Sequence, residues 1–168
     1  MRKPFMLMVA LFATVIVFGQ TDKMFKHTGE KLDVKILKVG EFTISYSYPN
    51  EVAEQTIGKY AVAKLEYASG RKEDITEKIV INDKDDWEKV IILEDVSNTV
   101  GLKRQGEIRG KTSGMLSYRT AGNADKKSME RLKKEAAELG SPFVLVTSEK
   151  DSKWSTQSIK KGFAYSYK

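Results

Sequence analysis

The sequence predicts an α+β protein: a small all-β, barrel-like N-terminal module followed by a two-layer α/β C-terminal domain with one main helix. Three features carry that expectation. Apolar and polar residues alternate with period two in short runs between residues 32 and 67, the signature of half-buried strands. Residues 123–139 instead repeat their apolar positions every three or four residues, the period of an amphipathic helix. Two wholly apolar runs, residues 90–93 and 143–146, lack alternation altogether, as strands covered on both faces do.

A chain of 168 residues holds one ordinary domain or two small ones. With 40% hydrophobic and 31% charged residues its composition is globular. Residues 1–20 stand apart from the rest. Arg2 and Lys3 precede an apolar run, residues 5–18, broken only by Thr14, that ends at Gly19. This is the pattern of a secretory signal peptide cleaved near Gly19-Gln20. An uncleaved anchor is the alternative, but the run falls short of the roughly 20 residues that span a bilayer comfortably. A periplasmic or secreted location is therefore expected. The chain has no cysteine, which excludes a lipoprotein, disulfides, thiol catalysis and cysteine-based metal sites.

Charge divides the chain. Residues 21–102 carry 12 basic and 16 acidic side chains, whereas residues 103–168 carry 15 basic and 7 acidic ones. Two modules of opposite sign fit this division.

In order along the chain, residues 21–30 are polar and read as a loose entry segment. Leu32, Val34 and Ile36 alternate with Asp33 and Lys35. After a Gly40-Glu41 turn, Phe42, Ile44, Tyr46 and Tyr48 alternate with Thr43, Ser45 and Ser47, completing a hairpin. Residues 62–67 make another strand, ended by Ser69-Gly70, and residues 72–81 leave room for a short last one. Strands of this length joined by tight turns suit a small curled sheet or barrel. The β-module is placed at residues 21–81, a linker at 82–87 and the α+β domain at 88–168.

Within that domain the strand at 90–93 is expected in the same sheet as the strand at 143–146. The intervening glycine-rich, basic stretch accommodates short strands near 100–102, 106–108 and 115–118. Met129, Leu132, Ala136 and Leu139 share one helix face, and Glu130 with Lys134 and Arg131 with Glu135 form opposite-charge pairs four apart. Asn123 or Asp125 caps the start, while Gly140 and Pro142 stop the helix. Residues 148–158 read as a polar loop and 162–167 as a closing edge strand.

No paired acid, base and nucleophile emerges. Gly106 to Thr112 has three residues between its glycines, where a phosphate-binding loop needs four, and no helical run follows. His27, the single histidine, lies in the polar entry segment and reads as solvent-exposed. Ser158-Ile159-Lys160-Lys161 matches the S-x-x-K spacing of some acyl-transfer enzymes but lacks the companion motifs. Asp83, Asp85 and Asp86 lack the glycine and ligand spacing of a calcium loop, so they read as a solvated linker or helix cap. The basic residues Lys103, Arg104, Arg109, Lys111 and Arg119, with Lys126 and Lys127 beyond them, are the candidate site. Folded back over the sheet, they would present a positive surface to an anionic glycan, a lipid headgroup or an acidic protein.

Two resemblances add to this reading. The run L-D-V-K-I-L-K-V-G-E-F-T-I-S-Y with the later A-K-L-E-Y-A-S-G-R resembles a short SH3-like β-module of exported bacterial proteins, over residues 31–75. It implies a barrel and no chemistry. V-G-L-K-R-Q-G-E-I-R-G-K, R-L-K-K-E-A-A-E-L-G-S-P-F-V-L-V and G-F-A-Y-S-Y resemble YbjQ/RcsF-like small envelope α+β domains, over residues 88–168. That resemblance implies a partner-binding or oligomeric domain without catalysis. Disulfide-stabilised, membrane-tethered sensing and heavy-metal binding do not carry over to a chain with no cysteine and one histidine.

The function expected is thus that of an exported, non-enzymatic envelope protein that binds a protein partner or an anionic envelope component, without cofactor, metal or nucleic acid. An envelope hydrolase with an acidic cation site at Asp83, Asp85 and Asp86 is the competing class. A structural homo-oligomer paired through the edge at 162–167 is the third.

Overall fold

A computed structural model describes residues 21–112, 121–151 and 158–167. Its first part is built from β1 (Asp22–Lys26), β2 (Lys31–Val39), β3 (Thr43–Ser47), β4 (Glu54–Gly58), β5 (Val62–Glu66) and β6 (Lys72–Asp74). These form one six-stranded antiparallel sheet in the order β4-β3-β2-β1-β5-β6. Buried Met24, Val34, Ile44, Ile57, Val62 and Leu65 share its core.

The barrel expected from the strand pattern is not closed. β4 and β6 end the sheet and do not pair with each other. A barrel needs an unbroken ladder around its circumference, but β6 has only three residues, and the Gly58 N–H at the end of β4 bonds the Val100 carbonyl at 2.9 Å. The sheet's rim is thus used for contact with the next part of the chain.

Nor is the entry segment loose. β1 lies between β2 and β5, with Met24 fully buried. A five-residue strand with polar ends gives little alternation to read, and what orders it is tertiary. The Asp22 carboxylate accepts the backbone N–H of Ile36 and of Ala68, both at 2.8 Å, and so ties β1 to β2 and to the turn after β5.

The second part consists of β7 (Ile91–Leu93), β8 (Lys103–Lys111), α1 (Ala121–Glu138), β9 (Phe143–Asp151) and β10 (Ser158–Ser166). Its sheet has the order β7-β9-β10-β8, with β7 parallel to β9 and the other neighbours antiparallel. The two apolar runs are therefore adjacent strands, as expected. β10, expected at an edge, is instead flanked by β9 and β8 and has no free edge. Its alternating pattern reflects two faces with different neighbours, a property that internal and edge strands share. Residues 103–111 form one strand rather than fragments, and the strand expected at 115–118 lies outside the described residues.

α1 covers one face of this sheet. Ala124, Ser128, Leu132 and Ala136, each four apart, are buried, and Ala137 completes the stripe. Leu139, placed on that face by periodicity, is 49% exposed because the helix has already ended. Asn123 and Asp125 lie inside the helix and so do not cap it. At the other end Gly140 adopts φ +62°, its N–H bonds the Ala137 carbonyl at 2.8 Å, and the Ser141 N–H reaches the Ala136 carbonyl at 2.9 Å. This is a Schellman stop, which glycine makes without strain. The small stripe lets the helix approach β8 closely: a Cβ at Gly110 would stand 1.9 Å from the Ser128 carbonyl oxygen.

Between the two sheets, residues 82–87 do not hang free. A 3₁₀ turn, Lys84–Lys89, is capped by the Asp83 carboxylate on the Asp85 N–H, and Trp87 packs against the core beneath α1. Aromatic contacts continue the junction. Phe143, fully buried, meets Tyr60 at 5.0 Å and Tyr167 at 5.3 Å between ring centroids, and Tyr167 meets His27 at 4.8 Å.

Candidate functional site on the outward face of the C-terminal sheet

Pairing decides which face each β8 side chain takes. Ile108 and Gly110 are buried against α1, so Glu107, Arg109 and Lys111, which alternate with them, project from the opposite face. All three are exposed. Cross-strand partners share a face, which places Phe163 beside Glu107, Lys161 beside Arg109 and Ile159 beside Lys111.

A bulge between Ala164 and Tyr165 changes the phase of β8 near its start. Gln105 is the extra residue, so Arg104 falls opposite Tyr165 and joins the outward face. Its guanidinium lies 3.3 Å from the centre of the Phe163 ring, a close cation–π stack. Lys103 pairs with Ser166 and takes the other face. Lys126 and Lys127 lie on α1, in the layer behind the sheet. Arg119 lies outside the described residues.

Of the basic residues singled out from sequence, the fold therefore brings Arg104, Arg109 and Lys111 together and separates Lys103, Lys126 and Lys127. It adds two that composition did not mark. In the sequence Lys161 belongs to an S-x-x-K run and Phe163 to an expected edge strand. Their place beside Arg109 and Arg104 follows from a register set by strands more than 45 residues apart in sequence. Leu145, paired with Phe163, supplies a half-buried apolar floor.

Several basic side chains elsewhere find carboxylates. Lys26 bonds Glu30, Lys64 and Lys72 share Glu66, Arg71 bonds Glu73, Lys89 bonds Asp86 and Lys134 bonds Glu130. Among the described residues, Arg104, Arg109, Lys111 and Lys161 form no ion pair.

Of the remaining candidates, His27 is placed differently from expectation and Asp83 is the cap it was expected to be. His27 is 7% exposed, not solvated. Its Nε2 lies 2.8 Å from the Thr76 hydroxyl, which donates to the Val62 carbonyl at 2.8 Å, so the imidazole nitrogen is the donor to Thr76. Burial, and then the nearby Lys78 ammonium, hold its pKa below the usual histidine value. Ser158 and Lys160 are also buried. Ser158 Oγ lies 2.9 Å from Ser128 Oγ, and Lys160 Nζ bonds the Asp125 carboxylate at 2.7 Å. Both face the helix, whereas Lys161, the lysine that the S-x-x-K spacing pairs with Ser158, projects from the opposite face of the sheet. Asp83 caps the 3₁₀ turn, and the Asp86 carboxylate takes the Asn82 N–H and the Lys89 ammonium. These groups are turned to local partners, and the described residues contain no group of three His, Asp or Glu able to hold a metal ion.

One groove lies on the N-terminal part and another where it meets the second part. The first, of about 510 Å³, is lined by His27, Lys64, Asp74, Thr76, Glu77 and Lys78, and the second, of about 200 Å³, by Glu41, Lys59, Tyr60, Glu94 and Asn98. Each mixes charges of both signs without a convergent set. No protein-family model, no curated protein and no solved structure matches this chain.

Proposed function

We propose that this is an exported, non-enzymatic envelope protein whose C-terminal sheet binds an anionic envelope component through its outward face. One observation carries the reading: Arg104, Arg109, Lys111 and Lys161 share an exposed face and, among the described residues, none is neutralised by a carboxylate. Unpaired positive charge held on a rigid sheet attracts anions and orients them. The stack of Arg104 on Phe163 fixes one guanidinium in place, so less side-chain freedom is lost when an anion docks.

The apolar run after Arg2 and Lys3 supports export, and the change of charge sign along the chain supports a basic binding part joined to an acidic one. The acidic-site hydrolase finds no support in where Asp83 and Asp86 are held. A homo-oligomer paired through the edge at 162–167 finds no free edge there, because β10 is paired on both sides.

The test is retention of the mature chain on immobilised anionic glycans and on vesicles of anionic lipid, eluted with a salt gradient. Retention should fall with salt and should be lost in an Arg104→Gln, Arg109→Gln, Lys111→Gln variant that melts like the parent. Equal retention of parent and variant would overturn the reading.

A further inference from the structure

We propose that Arg109 and Lys161 together seat a single dianionic phosphate monoester group, an inference that rests on the anion-binding face proposed above and names its chemistry. The two residues are direct cross-strand partners. Arg109 donates its backbone N–H away from β10, to the Glu135 carboxylate at 2.7 Å. The pair is therefore of the non-hydrogen-bonded kind, in which side chains stand closest, about 4.5–5.5 Å between Cβ atoms. Like charges so placed repel each other, and a bound anion removes the repulsion.

Charge selects the class of anion. A carboxylate or a phosphate diester brings one negative charge to two cations. A phosphate monoester brings about −1.5 to −2 near neutral pH and offers three acceptor oxygens, which an Arg fork and a Lys ammonium can divide between them. Lys111 stands two residues along β8 on the same face, about 6.7 Å away, and Ser148 lies opposite Lys161 on β9. Both are exposed, and both border the seat.

Glu107 limits the length of the ligand. It occupies the same face between Arg104 and Arg109, exposed and without an ion pair among the described residues. A polyanion extended along β8 would meet that carboxylate, whereas one compact phosphate at Arg109 and Lys161 avoids it.

The experiment measures binding of the mature protein to glycerol 3-phosphate, a soluble monoester, and to dimethyl phosphate, a diester, by calorimetry. Vesicles containing phosphatidic acid or phosphatidylglycerol form a parallel pair of monoester and diester surfaces. Tighter binding to the monoester of either pair is expected, strengthening as pH rises through about 6, where the second phosphate proton leaves. Arg109→Gln and Lys161→Gln should each weaken it about tenfold, the scale of one charge-assisted contact, while Glu107→Gln should tighten it. Binding of the soluble monoester assigns a free or glycan-borne phosphate, and binding of phosphatidic acid vesicles alone assigns a lipid headgroup.

Equal affinity for monoester and diester, or unchanged affinity in both single variants, overturns the phosphate seat. If retention on anionic glycans persists in that case, the anion-binding face stands without it. Absence of binding to every anion removes both.

Discussion

His27 is the residue whose surroundings the sequence conceals most. A lone histidine among polar neighbours reads as solvated, yet the ring is buried between Thr76 and Tyr167 because β1 passes through the middle of a sheet. Its lowered pKa has a consequence for stability. The unfolded chain takes up the proton at higher pH than the folded one, so folding is favoured fully above about pH 6.5 and progressively less as pH falls below it. Glu66, Asp86 and Glu130, whose pKa values are also lowered, lose their contributions only below the ordinary carboxylate range. A fall in melting temperature as pH drops below about 6.5 is therefore expected from His27, and His27→Gln should lessen that fall in thermal denaturation at stepped pH. Gly110 makes the same point sterically. Gly110→Ala would drive a Cβ into the Ser128 carbonyl and the Leu132 amide of α1, and about 2–3 kcal/mol of stability should be lost in urea titration. In the sequence it is one glycine of a glycine-rich, basic stretch. Its role is to let a helix cross a strand.

α1 is the element the sequence described best. Its period, the Glu130 to Lys134 pair at 2.6 Å and the Gly140 stop are local, and local signals survive folding. Leu132 is fully buried on the stripe, and Leu132→Ala should cost about 2–5 kcal/mol. Arg131 and Glu135 behave otherwise. Spacing pairs them with each other, but Glu135 accepts the Arg109 N–H and Arg131 donates to the Lys111 carbonyl, so both cover the outer edge of β8. Edge groups left bare are templates for pairing with another chain. The double variant Arg131→Ala, Glu135→Ala should therefore raise concentration-dependent light scattering at low salt with little change in helix content, and scattering equal to the parent's would disprove the guarding role. Side chains that reach backbone on another element cannot be assigned from the helix alone.

At the scale of the whole molecule, two sheets meet through a short list of contacts. The Tyr167 hydroxyl accepts the Ile79 N–H at 3.0 Å, its ring touches His27 and Phe143, and Gly58 bonds Val100 across the junction. Tyr167→Ala should destabilise by about 2–3 kcal/mol. It should also raise hydrogen exchange in both β1 and β9, since each loses the shared neighbour. Exchange confined to one of them would show that the sheets are stabilised separately.

Composition and pattern by themselves determined the α+β class, the helix and the two apolar strands, because each depends on the residue pattern within a single element. They also located the basic stretch. Only the tertiary structure decided that the first sheet stays open, that β10 is internal, that His27 is buried and that Lys161 joins Arg109 on one face. The physical reason is the same in each case. Register, the bulge at Gln105 and sheet order bring together residues far apart in the chain, and a side chain's charge does not record which distant neighbour it will stand beside.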